Sequence, residues 1–347
     1  MGDIDCGAEM TKFHDQMVTL PLREQQSMRS RREAGRIRLR NGLDTAEQPQ
    51  PKEVESQGSY QMRTMVQDAD NDYDIDDGAY FRYDDLTDGN GLALLPLSAR
   101  KRVCEALTWD GRLKKKAEVK DNCVRQYYHE GHHIDVPVYR IVAEHDANGN
   151  VTETYELASG DRWVISDARA VTRWFNGIVG ELNQGQSDGS QLRRVVKLTK
   201  KFARRSEWKE LTTSGITISK LVKDHFSANV DRDDKAIRDT WQKISSSLAT
   251  SSEVKHPVLD QNLAEAGDAK VRHFKDCLDA ALNELQKLDE DGVDRPAVRE
   301  VWDTVFDTDF FSDLPDPDAD DSSTPNTIVS TTTAETARRN DGGGRFG

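Results

Sequence analysis

Two short segments of the sequence carry residue types suited to phosphoryl chemistry. In the first, Gln57 precedes Gly58 and Ser59. Glycine adopts loop geometries that a Cβ forbids, so backbone N–H groups and the Ser59 hydroxyl can donate to a phosphate at close range. In the second, Asp74 and Asp76 alternate with larger residues. On a strand, their carboxylates point to one face, about 7 Å apart, and can share a pair of metal ions.

Hard divalent cations match this combination. Mg²⁺ takes a few carboxylates together with substrate phosphate oxygens, and two ions roughly 4 Å apart stabilise the attacking and leaving oxygens of an in-line displacement. Either segment alone is more often a solvated loop or an ordinary turn. In this order along one chain, the two segments indicate nucleotidyl transfer.

A third segment makes a family resemblance specific. The three motifs resemble those of the bacterial cGAS/DncV-like nucleotidyltransferases, the signal synthases of CBASS anti-phage systems, from about residue 20 to about residue 226. In chain order the motifs are Gln57-Gly58-Ser59-Tyr60, Asp74-Ile75-Asp76-Asp77-Gly78-Ala79-Tyr80-Phe81 and His133-Ile134-Asp135-Val136-Pro137-Val138-Tyr139. The resemblance implies that Asp135 is the third carboxylate. It would bind one of two Mg²⁺ ions, for which Mn²⁺ can substitute, and activate the attacking ribose hydroxyl.

A basic helix is the next candidate. Arg193, Lys197, Lys200 and Arg204 share one face of a predicted helix over 191–205. Such a stripe usually marks a solvated face. The resemblance implies that a lysine on this helix and a serine at the start of the next helix contact the triphosphate of the donor nucleotide. These correspond to Lys200 and Ser214, with Lys197 or Lys201 as the alternative lysines.

Composition restricts the class of protein. The 347 residues carry a net charge of −14, which argues against dedicated DNA binding. No run approaches the roughly 20 apolar residues that cross a bilayer, and the N-terminus lacks a signal pattern, so we expect a cytoplasmic protein without membrane contact. The four cysteines are far apart and predict neither a disulfide framework nor a zinc site.

The hydrophobic periodicity predicts an α+β protein. A long arginine-rich helix over 20–41 is either a solvated helix paired with acids or a spine beside the nucleotide cleft. The polar residues 44–55 are expected to connect it to a strand over 60–67. Further predictions are the carboxylate strand, a helix from Leu97 that extends to Val119 unless Asp110-Gly111 ends it, and strands over 123–128, 134–142 and 151–157. Helices follow over 166–182, 191–205, 214–226, 233–248, 268–288 and 295–306.

These elements predict a bilobed α+β arrangement with the active site in the intervening cleft, and the family resemblance implies a DNA-polymerase-β-like nucleotidyltransferase fold. Residues 1–165 form the mixed-sheet catalytic lobe, 166–311 form a helical lobe that completes the cleft, and 312–347 form a disordered acidic tail rich in Ser, Thr and Gly. A formal HExxH pattern at 129–133 lacks the helix that zinc chemistry needs, because Gly131 interrupts it between strand-like segments.

The last residue carries a separate expectation. A flexible tail that ends in Gly347 resembles substrates of adenylating and conjugating enzymes, so a ubiquitin-ligase-like accessory protein is an expected partner. The alternative is a disordered end without function.

The predicted function is synthesis of a cyclic dinucleotide, cGAMP by resemblance, from ATP and GTP, with release of pyrophosphate and a downstream effector that reads the product. The alternatives are a cyclic trinucleotide synthase, a template-free RNA nucleotidyltransferase, and a nucleotide sensor whose catalytic site has decayed.

Overall fold

The computed structural model describes residues 4–68, 73–128, 132–146, 148–182, 190–205, 207–208 and 210–315. Within these ranges, residues 4–312 belong to one compact unit. Residues 316–347 of the predicted disordered tail, including Gly347, lie outside the described residues, as do residues 129–131 of the HExxH pattern.

A mixed sheet forms the centre of the first half of the chain, as predicted. In the described part of the chain its eight strands have the order β3-β4-β5-β2-β6-β7-β8, with β1 antiparallel to β2. Strand β2 runs parallel to β5 and β6, and the other pairs are antiparallel. The strands are β1 (Glu53–Gln57), β2 (Asp74–Arg82), β3 (Glu118–Val119), β4 (Val124–Tyr127), β5 (His133–Val136), β6 (Val138–His145), β7 (Val151–Ser159) and β8 (Arg162–Ile165).

Two helices cover one face of this sheet. Helix α2 (Leu22–Thr45) packs against α4 (Pro96–Thr108), and both contribute to a core with the apolar side chains of β2 and β5. The two helices approach closely at Gly42, where an added Cβ would lie 2.0 Å from the carbonyl oxygen of Ala106. A glycine is therefore required at this crossing.

The second half of the chain is helical, as its periodicity predicts. Side-chain oxygens of Ser190, Ser214, Asp268 and Asp294 accept hydrogen bonds from backbone N–H groups in the first turns of four of these helices. The described elements are α5 (Ala168–Leu182), α6 (Gln191–Ala203), α7 (Gly215–His225), α8 (Asp233–Thr250), α9 (Ala269–Leu285) and α10 (Arg295–Phe306), with a short hairpin of β9 (Val254–Lys255) and β10 (Asn262–Ala264).

The amino-terminal segment belongs to the helical core. Helix α1 (Gly7–Phe13) continues into a π-helical turn (His14–Val18). Phe13 packs against Phe306 and Phe311, with ring centroids 4.7 and 4.9 Å apart. Sequence reasoning did not predict α1. The division of the chain at residues 165 and 311 stays a prediction.

Two local predictions were wrong. The predicted strand over 60–67 is instead the short helix α3 (Gly58–Gln61) and an irregular segment. Its apparent alternation arises because Met62 and Val66 are buried in the helical core. The supposed connector over 44–55 contains the end of α2 and the start of β1.

Proline and glycine set two other boundaries. The helix that begins at Pro96 ends at Thr108, before Gly111, whose φ of 62° is left-handed. The predicted strand over 134–142 is divided at Pro137, which has no N–H to donate. None of the described helices combines the length and hydropathy needed to span a membrane.

The crossing of α2 and α4 gives a stability prediction. We expect Gly42→Ala to lower the free energy of unfolding by about 1–3 kcal/mol, because the new methyl group forces the two helices apart. Urea denaturation followed by circular dichroism measures the change. Gly177→Ala in α5, where an added Cβ meets no atom within 4 Å, is the matched control and should be neutral or stabilising by up to about 1 kcal/mol. Equal effects of the two substitutions would contradict the close crossing.

Candidate active site

Strands β2 and β5 bring the three predicted acids together. In their parallel register Asp74 lies beside His133, and Asp76 lies beside Asp135. Side chains two residues apart on a strand share a face, so all four side chains point to the same side of the sheet. One ligand atom from each of Asp74, His133 and Asp135 lies within 4.8 Å of the others.

Like charges dominate the electrostatics of this face. The pKa of Asp76 is raised from 3.8 to about 8, first by burial and then by the negative charges of Asp74 and Asp135. Arg125 opposes this shift. A divalent cation among these carboxylates would relieve the repulsion. The carboxylate oxygens suit Mg²⁺ or Mn²⁺, whereas the imidazole of His133 is not a ligand that Mg²⁺ prefers. The three acids therefore fit the metal ions that the sequence predicts.

Asp135 has a cationic neighbour that sequence reasoning missed. Arg125, on β4, donates from Nε to Oδ1 of Asp135 at 2.8 Å and from Nη2 to Oδ2 at 2.7 Å. Cys123 lies nearby, and burial, followed by the charge of Asp135, raises the pKa of its thiol. The thiol is thus kept neutral beside the acids.

Asp77 belongs to the opposite face of β2. Both of its carboxylate oxygens accept hydrogen bonds from Arg36 of α2, at 2.7 and 2.6 Å, and Ser56 donates to it at 2.9 Å. This partly buried ion pair fixes α2 to the strand that carries Asp74 and Asp76. Arg36 therefore fits the first interpretation of the arginine-rich helix, an arginine paired with an acid.

The glycine-serine segment lies against Asp76. Gly58 has a φ of 65°, and an added Cβ would lie 2.3 Å from Oδ2 of Asp76. Ser59 is in the first turn of α3. The side chain of Gln57 is buried; it accepts from the Tyr80 hydroxyl at 2.8 Å and donates to the Tyr139 hydroxyl at 3.0 Å. These contacts hold the start of the segment against the sheet.

Lys200 and Ser214 meet on the helical side. Lys200 is 3% exposed, and its Nζ donates to Oγ1 of Thr64 at 3.0 Å. A Cβ at Gly215, the first residue of α7, would lie 3.6 Å from Nζ of Lys200, and Ser214 caps that helix. The ammonium therefore adjoins a helix N-terminus, which is an environment that attracts anions.

Burial makes Lys200 easy to deprotonate. It lowers the pKa of Lys200 to about 7, and the charge of Arg204 adds to the effect, whereas Asp74 opposes it. The alternative lysine Lys197 lies elsewhere, where it donates to Oγ1 of Thr19. Burial also lowers the pKa of Lys201, the other alternative. The nucleotide-binding roles of Lys200, Ser214, Gln57, Gly58 and Ser59 stay predictions.

A basic cavity adjoins the segment after Ser59. Its volume is about 650 Å³, and α2, α3 and α6 contribute to its wall. Among the described residues that line it, none is acidic, and the cationic ones are Arg29, Arg32, Arg63, Arg193 and Lys197. A chain of net charge −14 thus carries a local positive surface.

The histidines at the end of the HExxH pattern are not on a helix. His133 begins β5, whereas His132 contacts Glu24 at 3.2 Å and stacks on Tyr73. The two described residues of the pattern therefore lack the helical geometry of a zinc protease site. His133 itself faces the acids, and sequence reasoning missed it, although its position two residues before Asp135 on one strand was the available signal.

A family comparison matches this region. Residues 52–139 fit the model described as the nucleotidyltransferase domain of "Cyclic GMP-AMP synthase DncV-like". The matched range contains Gly58, Ser59 and the three acids. Residues 52–139 are therefore similar to a DncV-like nucleotidyltransferase domain, the family that the sequence motifs resemble.

Solved structures with this fold include named synthases. A structure of Vibrio cholerae DncV cyclic AMP-GMP synthase with nonhydrolyzable GTP has a TM-score of 0.66 and 18% identity, over 87% of this chain and 95% of that chain. A second, with the linear intermediate 5' pppA(3',5')pG, has a TM-score of 0.63 and 18% identity, over 83% and 91%. Escherichia coli MS115-1 CdnC with ATP has a TM-score of 0.65 and 15% identity, over 89% and 99%. The structural likeness at these low identities shows the fold alone, and it confirms the predicted nucleotidyltransferase fold.

The contact between Gly58 and Asp76 gives a site prediction. We expect Gly58→Ala to reduce Mg²⁺-dependent consumption of ATP and GTP at least about 100-fold, because the methyl group displaces the Asp76 carboxylate and strains a left-handed residue. Initial-rate assays measure the loss. Gly91→Ala also replaces a left-handed glycine but meets no atom within 4 Å. It should retain activity, and a comparable loss in both variants would contradict the specific role of Gly58.

The raised pKa of Asp76 predicts a pH-dependent stability effect. Because the folded pKa exceeds the unfolded one, this group stabilises the folded state below about pH 4, and that contribution is lost as pH rises through about 8. We expect Asp76→Asn to raise the Tm of the metal-free protein at pH 9 by roughly 2–4 °C, the shift that about 1 kcal/mol produces in a large domain. At pH 5 the gain should fall to about a third of this value, and it should vanish below about pH 4. Calorimetry in chelator tests this, with the exposed Asp84→Asn as control; a gain independent of pH would refute the assignment.

Proposed function

We propose that the chain is a Mg²⁺-dependent cyclic oligonucleotide synthase that joins ATP and GTP into a cyclic dinucleotide, cGAMP in the simplest case. The observation that carries the proposal is the convergence of Asp74, Asp76 and Asp135 beside the turn at Gly58. The position of this cluster within a DncV-like nucleotidyltransferase domain supports it. The V. cholerae structure with a linear pppA(3',5')pG intermediate supports a two-step route to a ring.

The acids bind and orient the reacting groups. Asp74 and Asp76 would hold the metal pair from β2, and Asp135 would share it from β5. When bound, two Mg²⁺ ions supply charge stabilisation to the attacking and leaving oxygens of the in-line displacement. Asp135 would also accept the proton of the attacking ribose hydroxyl.

The donor triphosphate requires positive charge and N–H donors. The backbone and hydroxyl of Gly58-Ser59 would donate to its phosphate oxygens. Lys200, whose pKa is about 7 in the free protein, becomes fully protonated beside a triphosphate, because an adjacent anion favours the charged form. Ser214 and the N-terminus of α7 would contact the same phosphates.

The setting of the reaction is also part of the proposal. A cytoplasmic synthase in anti-phage signalling would act through an effector that binds the cyclic product. Conjugation at Gly347 by an accessory ligase stays a prediction from the sequence, because that residue lies outside the described part of the chain.

A product assay tests the function. Purified protein incubated with Mg²⁺ and labelled ATP, GTP, CTP and UTP should yield a phosphatase-resistant nucleotide. Mass spectrometry then identifies the bases and the ring size of this product. Asp74→Asn and Asp76→Asn should reduce its formation at least about 1,000-fold, since each removes a metal-binding charge. Asp84→Asn, at an exposed acid after β2, should leave it unchanged. Linear products alone, or full synthesis by both site variants, would refute the proposal.

A further inference from the structure

Arg125 forms the closest cationic contact that the structure records for the third acid. It lies on β4, directly opposite Asp135 in the antiparallel register with β5. The guanidinium meets the carboxylate with two parallel hydrogen bonds, at 2.8 and 2.7 Å. This bidentate geometry is the strongest form of a carboxylate contact with a side chain. Both oxygens of Asp135 are therefore engaged in the metal-free protein.

The same oxygens are needed by the proposed metal ion. A carboxylate oxygen of Asp135 lies within 4.8 Å of ligand atoms of Asp74 and His133. A cation held among these atoms would carry two positive charges into a site where Arg125 already supplies one. Like charges at such distances repel strongly in a partly buried site. The guanidinium and the ion therefore compete for Asp135.

Exposure indicates which partner moves. The side chain of Asp135 is 9% exposed, whereas that of Arg125 is 30% exposed. A long, partly exposed side chain can change rotamer toward solvent at low cost, whereas the acid is held in the middle of the sheet. The carboxylate can thus exchange partners without moving.

We propose that Arg125 is a positioning residue that holds Asp135 in the metal-free enzyme and releases it when a divalent cation binds. This inference rests on the proposed function, because it concerns the metal site of that function. In the metal-free protein, Arg125 replaces part of the missing positive charge and keeps the carboxylate in place. Because Arg125 must release Asp135 before the cation can bind, the affinity for the cation is lower than the three acids would give without Arg125.

Removal of the guanidinium should therefore strengthen metal binding. We expect Arg125→Gln to bind Mn²⁺ about three- to tenfold more tightly than the unmodified protein in the absence of nucleotide, because the competing charge is gone. The experiment uses the full chain at pH 8.5, where protons compete less, and electron paramagnetic resonance of free Mn²⁺ as the readout. Arg125→Lys keeps the charge without the paired hydrogen bonds. Its Mn²⁺ affinity should lie between those of the unmodified protein and Arg125→Gln.

Matched variants separate this role from a structural one. Arg140→Gln removes another arginine paired with a carboxylate across neighbouring strands, Glu156 in this case, and should not change Mn²⁺ affinity. In an Asp135→Asn background, Arg125→Gln should change the Mn²⁺ affinity by less than about twofold, because the ion pair through which Arg125 acts is already absent.

The outcomes distinguish the inference from the function on which it rests. If Asp76→Asn abolishes Mn²⁺ binding but Arg125→Gln weakens it or leaves it unchanged, the proposed release of Asp135 is wrong, whereas the proposed metal site is supported. If Asp76→Asn binds Mn²⁺ as tightly as the unmodified protein, the proposed metal site itself is wrong.

Discussion

Repulsion among carboxylates on one face of the sheet is the constraint on which the site depends. Asp76 has its pKa raised by burial and by two neighbouring acids, so the folded chain keeps these groups together against their electrostatics. The parallel register of β2 and β5 does this, because it fixes Asp76 beside Asp135 through backbone hydrogen bonds rather than through the side chains. Such stored unfavourable energy is common where a site awaits a ligand.

The opposite face of β2 supplies the support. Asp77 alternates with Asp76 and forms a bidentate ion pair with Arg36 of α2. Helix α2 in turn packs against α4 at Gly42. One strand thus carries repelling acids on one side and a paired acid on the other. The helical layer that packs on this face of the sheet limits how far the repelling carboxylates can separate.

Features with local signals were predictable from the sequence, and features set by cross-strand register were not. The stripe of Val171, Phe175 and Val179 predicted α5, and the alternation around Ile75 predicted β2. The face shared by Asp74 and Asp76 followed from the same alternation. Arg125 could not be found in this way, because its place opposite Asp135 depends on how β4 pairs with β5. Helix α3 was missed because Met62 and Val66 are buried by helices distant in sequence.

The position of Gly58 joins two motifs that the sequence separates. Local chemistry suggests one reason for a glycine at this position, because a residue without a Cβ allows a phosphate to approach the backbone closely. The structure gives a second reason, since the space that a Cβ would take is filled by Oδ2 of Asp76. The carboxylate that would bind the metal and the turn that would bind the phosphate are therefore in van der Waals contact. Through this contact, the proposed metal site and the proposed phosphate site constrain each other's positions.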